Sequence, residues 1–515
     1  MGKKLLRSTA LVGSMTLVSR ILGFVRDLVV AHLFGAGAGT DAFFVAFRIP
    51  NFLRRLFAEG AFAQAFVPVL SEYRQKRDIL QVRELMSHVA GSLSQILLVV
   101  TLVGIAGAPL IMWVFAPGFV SEPDKMALAT DLLRITFPYI LLVSLTALAG
   151  AALNTYGHFM APAFTPVFLN LAMIASALLL SPLLENPVIS LAYGVLIGGV
   201  FQLLFQWPFL AKFNLLIRPR RGNHPGVTKI KKLMIPALFS LSVTQINLLV
   251  DTLIASFLVT GSISWLYYAE RMVEFPLGIF GIALATVVLP SLSAQSSKDD
   301  MQSFSSTLDW ALRLVVIVGL PSMLGLWFLA EPIMATLFQY GAFGKNDAIN
   351  AAAALSAYSL GLLGFILVKV LATGFFSRQD TRTPVKIAII AMVANMIMNV
   401  ILVFPLAHVG LALATALSAL INASLLYRLL RKQGVYQPQS GWPILWLRII
   451  GAATIMCVGM FWLSEDLAEW LSWSATQRAM TLLTIIFTGA FCYIMALWLS
   501  GFRLHHLNRS AKVGE

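Results

Sequence analysis

VISLAYGVLIGGVFQLLFQWPFLA, residues 188–211, runs for 24 positions without a charged side chain. About 20 apolar residues in a helix cross the hydrocarbon core of a bilayer, so this stretch reads as one membrane crossing. Working outward, comparable runs fall near 9–34, 41–70, 85–115, 126–156, 160–181, 230–259, 263–293, 305–338, 348–376, 385–405, 409–430, 443–463 and 477–500, which makes about 14 in all. The composition agrees, with 58% hydrophobic residues, 12% charged residues and a mean hydropathy of +0.83. A string of soluble domains is thereby excluded. A β-barrel is excluded as well, because its strands alternate over about 10 residues where these runs are continuous. The two cysteines, Cys457 and Cys492, lie inside apolar stretches, leaving no disulfide framework and no Cys/His zinc cluster.

The net charge of +14 invites a nucleic-acid reading, which the distribution of that charge refuses. With the amino terminus in the cytoplasm, 24 of the 37 Lys and Arg residues fall in cytoplasmic segments, and only Lys125, Lys345 and Arg478 fall in periplasmic ones. That asymmetry orients the multi-pass chain by the positive-inside rule, with both termini cytoplasmic. The basic start is not read as a signal peptide, since Arg20 and Arg26 interrupt the apolar run and no small-residue cleavage site follows.

The two halves of the sequence repeat. Phe115 in APLIMWVFAPGF and Phe338 in EPIMATLFQYGAF stand 223 apart, and FVPVLS (66–71) matches VLPSLS (288–293). Pro162 with Pro384, Asp27 with Asp251, and Pro50 with Pro276 follow at offsets of 222 to 226. Six crossings duplicated in this way give two lobes of the same orientation, related by an axis along the membrane normal. The expected organisation is an all-α polytopic membrane protein: a six-helix lobe over 1–211, a basic linker over 212–229, a second six-helix lobe over 230–435, and two extra helices with a tail over 436–515. Two lobes around a site at their interface is the architecture of alternating-access transport.

Ionisable residues inside apolar helices indicate what such a site holds, because each costs about 2.5–3.5 kcal/mol at the bilayer centre and persists where it faces a polar interior. The first crossing carries Arg20, Arg26 and Asp27, and the second carries Asp41, Arg48, Arg54, Arg55 and Glu59. Asp251 lies in the seventh, and Glu270, Arg271 and Glu274 lie in the eighth. Arg48, Arg55 and Glu59 share one helical face, so an internally paired network and a gate are both open for them. Arg20, Arg26, Arg54 and Arg271 come from both lobes and outnumber the nearby acids, which points to an anionic ligand. Arginine at all four positions favours phosphate or pyrophosphate, whose oxygens match the guanidinium fork. Gly23 and Pro50-Asn51 read either as bending points or as ordinary packing residues, and Ser264 reads as a helix cap or a gate contact.

A second polar set consists of Asp251, Asn395 and Asn399 four residues apart, and Thr415. These hard oxygen ligands could hold a sodium ion, although bonding of the Asn and Thr between helices is the commoner outcome, and no other cofactor is expected. Enzymatic chemistry is not expected, because the histidines are scattered and most loops are short.

The runs SMTLVSRILGFVRDLVVAHLFGAGAGTDAFFVAFRIPNFLRRLFAEGAFAQAFVP (14–68), GSISWLYYAERMVEFPLGIFGIALATVVLPSLS (261–293) and FFSRQDTRTPVKIA (375–388) resemble the MurJ/MviN family of lipid II flippases. The likeness extends over essentially the whole chain. It implies a MOP-superfamily fold of 14 helices that moves undecaprenyl-pyrophosphate-linked disaccharide-pentapeptide from the cytoplasmic to the periplasmic leaflet for peptidoglycan synthesis. It also implies that Arg20, Arg26 and Arg271 line a cationic cavity and that Asp41, Asn51, Arg54 and Glu59 are functionally important. The two extra helices would form a groove for the lipid tail, and membrane lipids and cell-wall synthesis proteins would be partners. Glu270 and Arg48 depart from the commoner Asp and Lys of the family while keeping the charge. The competing readings are another lipid-linked oligosaccharide flippase, which shares the pyrophosphate logic, and a MATE-like cation-coupled drug exporter, which calls for an acidic cavity.

Overall fold

The computed structural model describes residues 2–55 and 62–503, and the side chains of 2–12, 236–246 and 282 fall outside that description. Every regular element among the described residues is helical. Lipid offers no partner to a bare N–H or C=O, so a chain this apolar satisfies its backbone within helices.

Nine helices are long and apolar enough to cross a membrane among the described residues, and the pair Lys345–Ser359 and Leu362–Phe376, bent by 40°, makes a tenth if it is taken as one broken span. The difference from about 14 has two causes. The helices Gly2–Phe34, Ala38–Leu53, Phe62–Lys76 and Pro225–Ala255 are not among the nine. The first two of these carry most of the intramembrane arginines. The helix Arg382–Lys432 is counted once, yet its 51 residues would extend about 76 Å, more than twice the hydrocarbon thickness. It turns at Ala407, whose φ of 48° and ψ of −128° are not helical, so it supplies two crossings.

The chain divides into two compact units, Met1–Ser264 with Tyr340–Phe343, and Trp265–Gln339 with Gly344–Glu515. The helix Pro225–Ala255 packs against Phe62–Lys76 and Ile79–Ala106 and so belongs to the first unit, although the repeat assigns it to the second half of the sequence.

In the first unit Phe62, Phe66, Leu70, Leu85, Met86, Leu148, Ala152 and Leu210 form a buried core around the start of the linker. Lipid tails are as apolar as leucine, so this core is held by close packing more than by escape from water. The small residues Ala149, Ala151 and Ala152 in the helix Tyr139–Thr155 permit that approach. In the second unit the extra helices Trp442–Leu463 and Ala475–Leu499 pack on each other and on Met301–Phe328. The Tyr493 hydroxyl reaches the Ile317 carbonyl at 2.7 Å.

Pro50 and Pro276, partners in the repeat, both sit at helix ends followed by a widened turn: π-helical residues 54–55 after the first, and Leu277–Ile282 after the second. A proline lacks the N–H that the preceding turn would use, and a π turn is one way to absorb the mismatch. The chain stays helical through Gly23. A methyl group there would touch Asn170 at an ordinary 3.6 Å.

Candidate functional site

Asp41, one of the polar residues singled out in the sequence, lies in the first turn of Ala38–Leu53 and is 1% exposed. One carboxylate oxygen accepts from the Gly261 N–H at 2.7 Å, and the other accepts from the Ser264 N–H at 2.9 Å and the Ser264 hydroxyl at 2.7 Å. The two N–H donors stand at the start of the helix Ser262–Pro276, so Asp41 caps that helix and meets the positive end of its dipole. Ser264 lies within the first turn and is held by the cap. Its hydroxyl also lies 3.1 Å from that of Thr40.

Beside Asp41 sits Lys125, which the charge count places in a periplasmic loop and which is in fact only 4% exposed. Its ammonium lies 3.5 Å from Asp41 and 3.4 Å from Glu122, donates to the Thr260 hydroxyl at 3.0 Å, and rests 4.4 Å from the centre of the Phe119 ring. The Gly118 N–H donates to the Ser256 hydroxyl at 3.1 Å, and a Cβ on Gly118 would stand 2.1 Å from the Ser256 carbonyl oxygen. Ala342 donates to the His32 carbonyl at 2.8 Å. All these contacts lie within the first unit, at the loops that the charge pattern assigns to the periplasm, and together they pin residues 256–264 and 340–343 onto the amino-terminal helices.

Asp41→Asn keeps the shape and one acceptor but leaves Lys125 without its buried counter-charge, so it is expected to lower stability by about 1–3 kcal/mol. Thermal unfolding of Asp41→Asn and of Asp41→Asn with Lys125→Met checks this, since the second change should restore the part of the loss that belongs to the lysine and leave the part due to the N–H group that faces the new amide donor.

The first crossing holds a second network. The Arg26 guanidinium grips Asp27 at 2.6 and 3.0 Å and donates to the Asn170 side-chain oxygen at 3.1 Å, while Asn170 donates to the Ser19 carbonyl at 3.0 Å. Arg26 is 7% exposed and Asp27 3%, so the pair is desolvated and satisfied by its neighbours. Asn170 is absent from the residues singled out in the sequence. The only trace there is one amide in the apolar helix PVFLNLAMIA.

The remaining arginines differ in setting. Arg20 is exposed, Arg48 donates to the Thr252 hydroxyl, and Arg54 donates to the Asn51 side-chain oxygen at 2.9 Å. Arg55 is exposed at the end of the described segment, and Glu59 lies outside the described residues. In the second unit Arg271 pairs with Glu274 at 2.7 Å, donates to the Tyr267 hydroxyl at 3.1 Å and lies 5.0 Å from that ring, while Glu270 is half-buried. Arg20, Arg26 and Arg54 thus belong to one unit and Arg271 to the other.

Of the residues considered for sodium, Asn395, Asn399 and Thr415 come together in the second unit. Asn399 donates to the Asn395 oxygen at 3.0 Å, Asn395 to the Thr415 hydroxyl at 3.4 Å, and Thr415 to the Leu411 carbonyl at 3.0 Å. Donors and acceptors follow one another in a chain that bonds the two halves of Arg382–Lys432. Asp251 belongs to the first unit, where Asn247 donates to it at 3.3 Å.

The chain matches the family model described as Lipid II flippase MurJ over residues 30–481. It is 50% identical to a probable lipid II flippase MurJ of Vibrio cholerae, with 99% of each chain covered. Among solved structures it is similar to one titled lipid II flippase MurJ, inward closed conformation, at a TM-score of 0.79 and 30% identity, covering 95% of this chain and 98% of that one. An inward-facing MATE family transporter of the MOP superfamily shares the fold at a TM-score of 0.68 and 14% identity, over 83% of this chain and 98% of that one. The match of the family model to nearly the whole membrane region, and half identity to a full-length relative, show that the chain belongs to the lipid II flippase MurJ family.

Proposed function

We propose that the chain moves lipid II from the cytoplasmic to the periplasmic leaflet of a bacterial inner membrane by alternating access, with both termini cytoplasmic. Membership of the family carries this reading, and the cationic side chains within apolar helices, Arg20, Arg26 and Arg54 in one unit and Arg271 in the other, supply its chemistry. A sugar-peptide headgroup with its pyrophosphate cannot enter hydrocarbon, whereas the polyprenyl chain never needs to leave it. Arginine forks match the phosphate oxygens of the headgroup. The arginines oppose a drug exporter for cations. A flippase for other lipid-linked oligosaccharides would use the same forks, so it is the competitor that the test must address. Cell-wall synthesis proteins would act on the delivered headgroup.

Purified protein in proteoliposomes, offered lipid II and a lipid-linked oligosaccharide without the peptide, should move the first and discriminate against the second. Movement of the oligosaccharide alone would overturn the reading. The driving force follows from charge sign: with the cytoplasm negative, an anionic headgroup crossing outward gains about 2.3 kcal/mol per charge per 100 mV. Flipping is therefore expected to slow when the electrical potential is collapsed with the pH gradient maintained. If sodium binding at Asp251 contributes, Asp251→Asn blunts the response to sodium and spares the response to voltage. Equal rates at zero and about 100 mV inside-negative, with the cytoplasmic face inside, would remove the voltage dependence.

A further inference from the structure

Two cavities open beside the basic segments of the chain. The first, about 990 Å³, lies within the first unit between the helices Ile79–Ala106, Tyr139–Thr155 and Ile189–Lys212 and the extended segment 215–220. Its wall is apolar, with Leu145, Leu148, Leu203 and Leu210, and Trp207 is 47% exposed beside it. Arg83, Arg218 and Arg220 line it against a single acid, Glu84, and all four are exposed.

The segment carrying two of these arginines is held in place. The Arg220 N–H donates to the Ser87 carbonyl at 3.0 Å, and Arg83 reaches the Leu216 carbonyl at 3.5 Å. Gly91 leaves room for this contact, since a Cβ there would stand 2.0 Å from the Arg220 carbonyl oxygen. The backbone therefore presents the guanidinium groups from a packed position rather than from a loose loop.

The second cavity, about 610 Å³, lies within the second unit and repeats the chemistry. Leu367, Leu371 and Leu420 make its apolar wall, and Arg428, Arg431 and Lys432 line it with no acid among the lining residues. Leu367 and Leu371 follow Leu145 and Leu148 at offsets of 222 and 223, which are those of the internal repeat. Tyr427 lines this cavity as Trp207 lines the first, and such aromatic residues mark the depth at which hydrocarbon meets headgroups.

An apolar wall with a cationic rim at the membrane interface asks for a ligand that is apolar at one end and anionic at the other. A soluble phosphate would leave the leucine wall wet, and a zwitterionic lipid would bring a cation of its own to the arginines. We infer that both cavities are binding sites for anionic phospholipids of the cytoplasmic leaflet, with the phosphate on Arg218 and Arg220 in the first and on Arg428 and Arg431 in the second. The acyl chains lie along the leucine walls, and the lipid in the first site clamps segment 215–220 to the helix Ile79–Ala106.

The test uses the full chain in detergent, titrated with phosphatidylglycerol or phosphatidylcholine, with bound lipids counted by native mass spectrometry. Binding is read directly, so the result does not depend on flipping or on its substrate. The unaltered chain is expected to retain phosphatidylglycerol in preference to phosphatidylcholine. Arg218→Ala with Arg220→Ala, and separately Arg428→Ala with Arg431→Ala, should each weaken one bound phosphatidylglycerol about thirtyfold, the worth of two interfacial arginines. These side chains are exposed and the backbone bonds of segment 215–220 survive the changes, so unchanged helicity by circular dichroism is expected alongside the loss. Equal retention of the two lipids, parental binding in both double variants, or displacement of phosphatidylglycerol by free glycerol 3-phosphate would each overturn the inference, the last by making the site one for a soluble phosphate.

Discussion

Arg271→Ala, reconstituted at equal membrane abundance, is expected to flip lipid II about ten- to a hundredfold more slowly than the unaltered chain, because a charge-assisted bond to a desolvated phosphate contributes about 1.5–3 kcal/mol. The local structure separates this effect from misfolding. The Arg271 side chain is 35% exposed and its partner Glu274 45% exposed, so their ion pair at 2.7 Å is screened and contributes little to stability. Tyr267 keeps its packing when the guanidinium is removed from beside its ring. Arg271→Lys preserves the charge without the fork and should recover only part of the rate. Arg20→Ala, at another exposed arginine, is expected to act in the same direction. Arg26→Ala would combine the loss of flipping with instability, because it takes the guanidinium from beside the buried Asp27. Full activity of Arg271→Ala would remove that residue from the substrate's path.

The largest loss of stability is expected from Asp309→Ala. Asp309 is fully buried in the helix Met301–Phe328, and one of its oxygens accepts from the Tyr436 hydroxyl at 2.7 Å, the Trp442 indole at 2.8 Å and the Gln439 N–H at 3.2 Å. The other oxygen accepts from Arg313 at 2.6 Å, and Arg313 in turn donates to the Ser440 carbonyl at 2.8 Å. The cluster fastens the connection 433–441 and the start of the helix Trp442–Leu463 to the second unit. Removing the carboxylate leaves a guanidinium and three donors without their acceptor, a loss of about 3–5 kcal/mol for a buried pair. Tyr436→Phe takes away one bond and should cost about 1 kcal/mol. Thermal unfolding of the three proteins in one detergent gives the ranking, and an Asp309→Ala protein as stable as its parent would show that the cluster does not anchor the extra helices.

Asp309 and Lys125 also show where sequence reading stops. Asp309 stands between Leu308 and Trp310 with Arg313 one turn later, a pattern that any solvated helix end could carry. Its partners Tyr436, Gln439 and Trp442 lie about 130 residues away, and nothing local to either stretch announces them. Lys125 in SEPDK reads as a loop charge for the same reason, and its burial depends on Asp41 and Thr260 arriving from elsewhere in the chain. Asn395 and Asn399 were visible as a pair at helical spacing. The fold-back at Ala407, which brings Thr415 alongside them, is not legible in that spacing.

What the sequence determined by itself is the class of structure and the kind of chemistry. Long apolar runs leave helices as the only way to satisfy a backbone in lipid, and each run carries that information within its own length. The arginines in the first, second and eighth crossings are likewise legible one by one, because the penalty for a charge in hydrocarbon is paid wherever it stands. The tertiary structure decided how those charges are spent within each unit. Asp41 became a helix cap with a buried lysine beside it, Arg26 was bound to Asp27 and Asn170, and Arg271 was left half exposed on its helix. Hydrogen bonds and ion pairs act over about 3 Å between residues hundreds of positions apart, so only the packing of the helices selects which donor meets which acceptor.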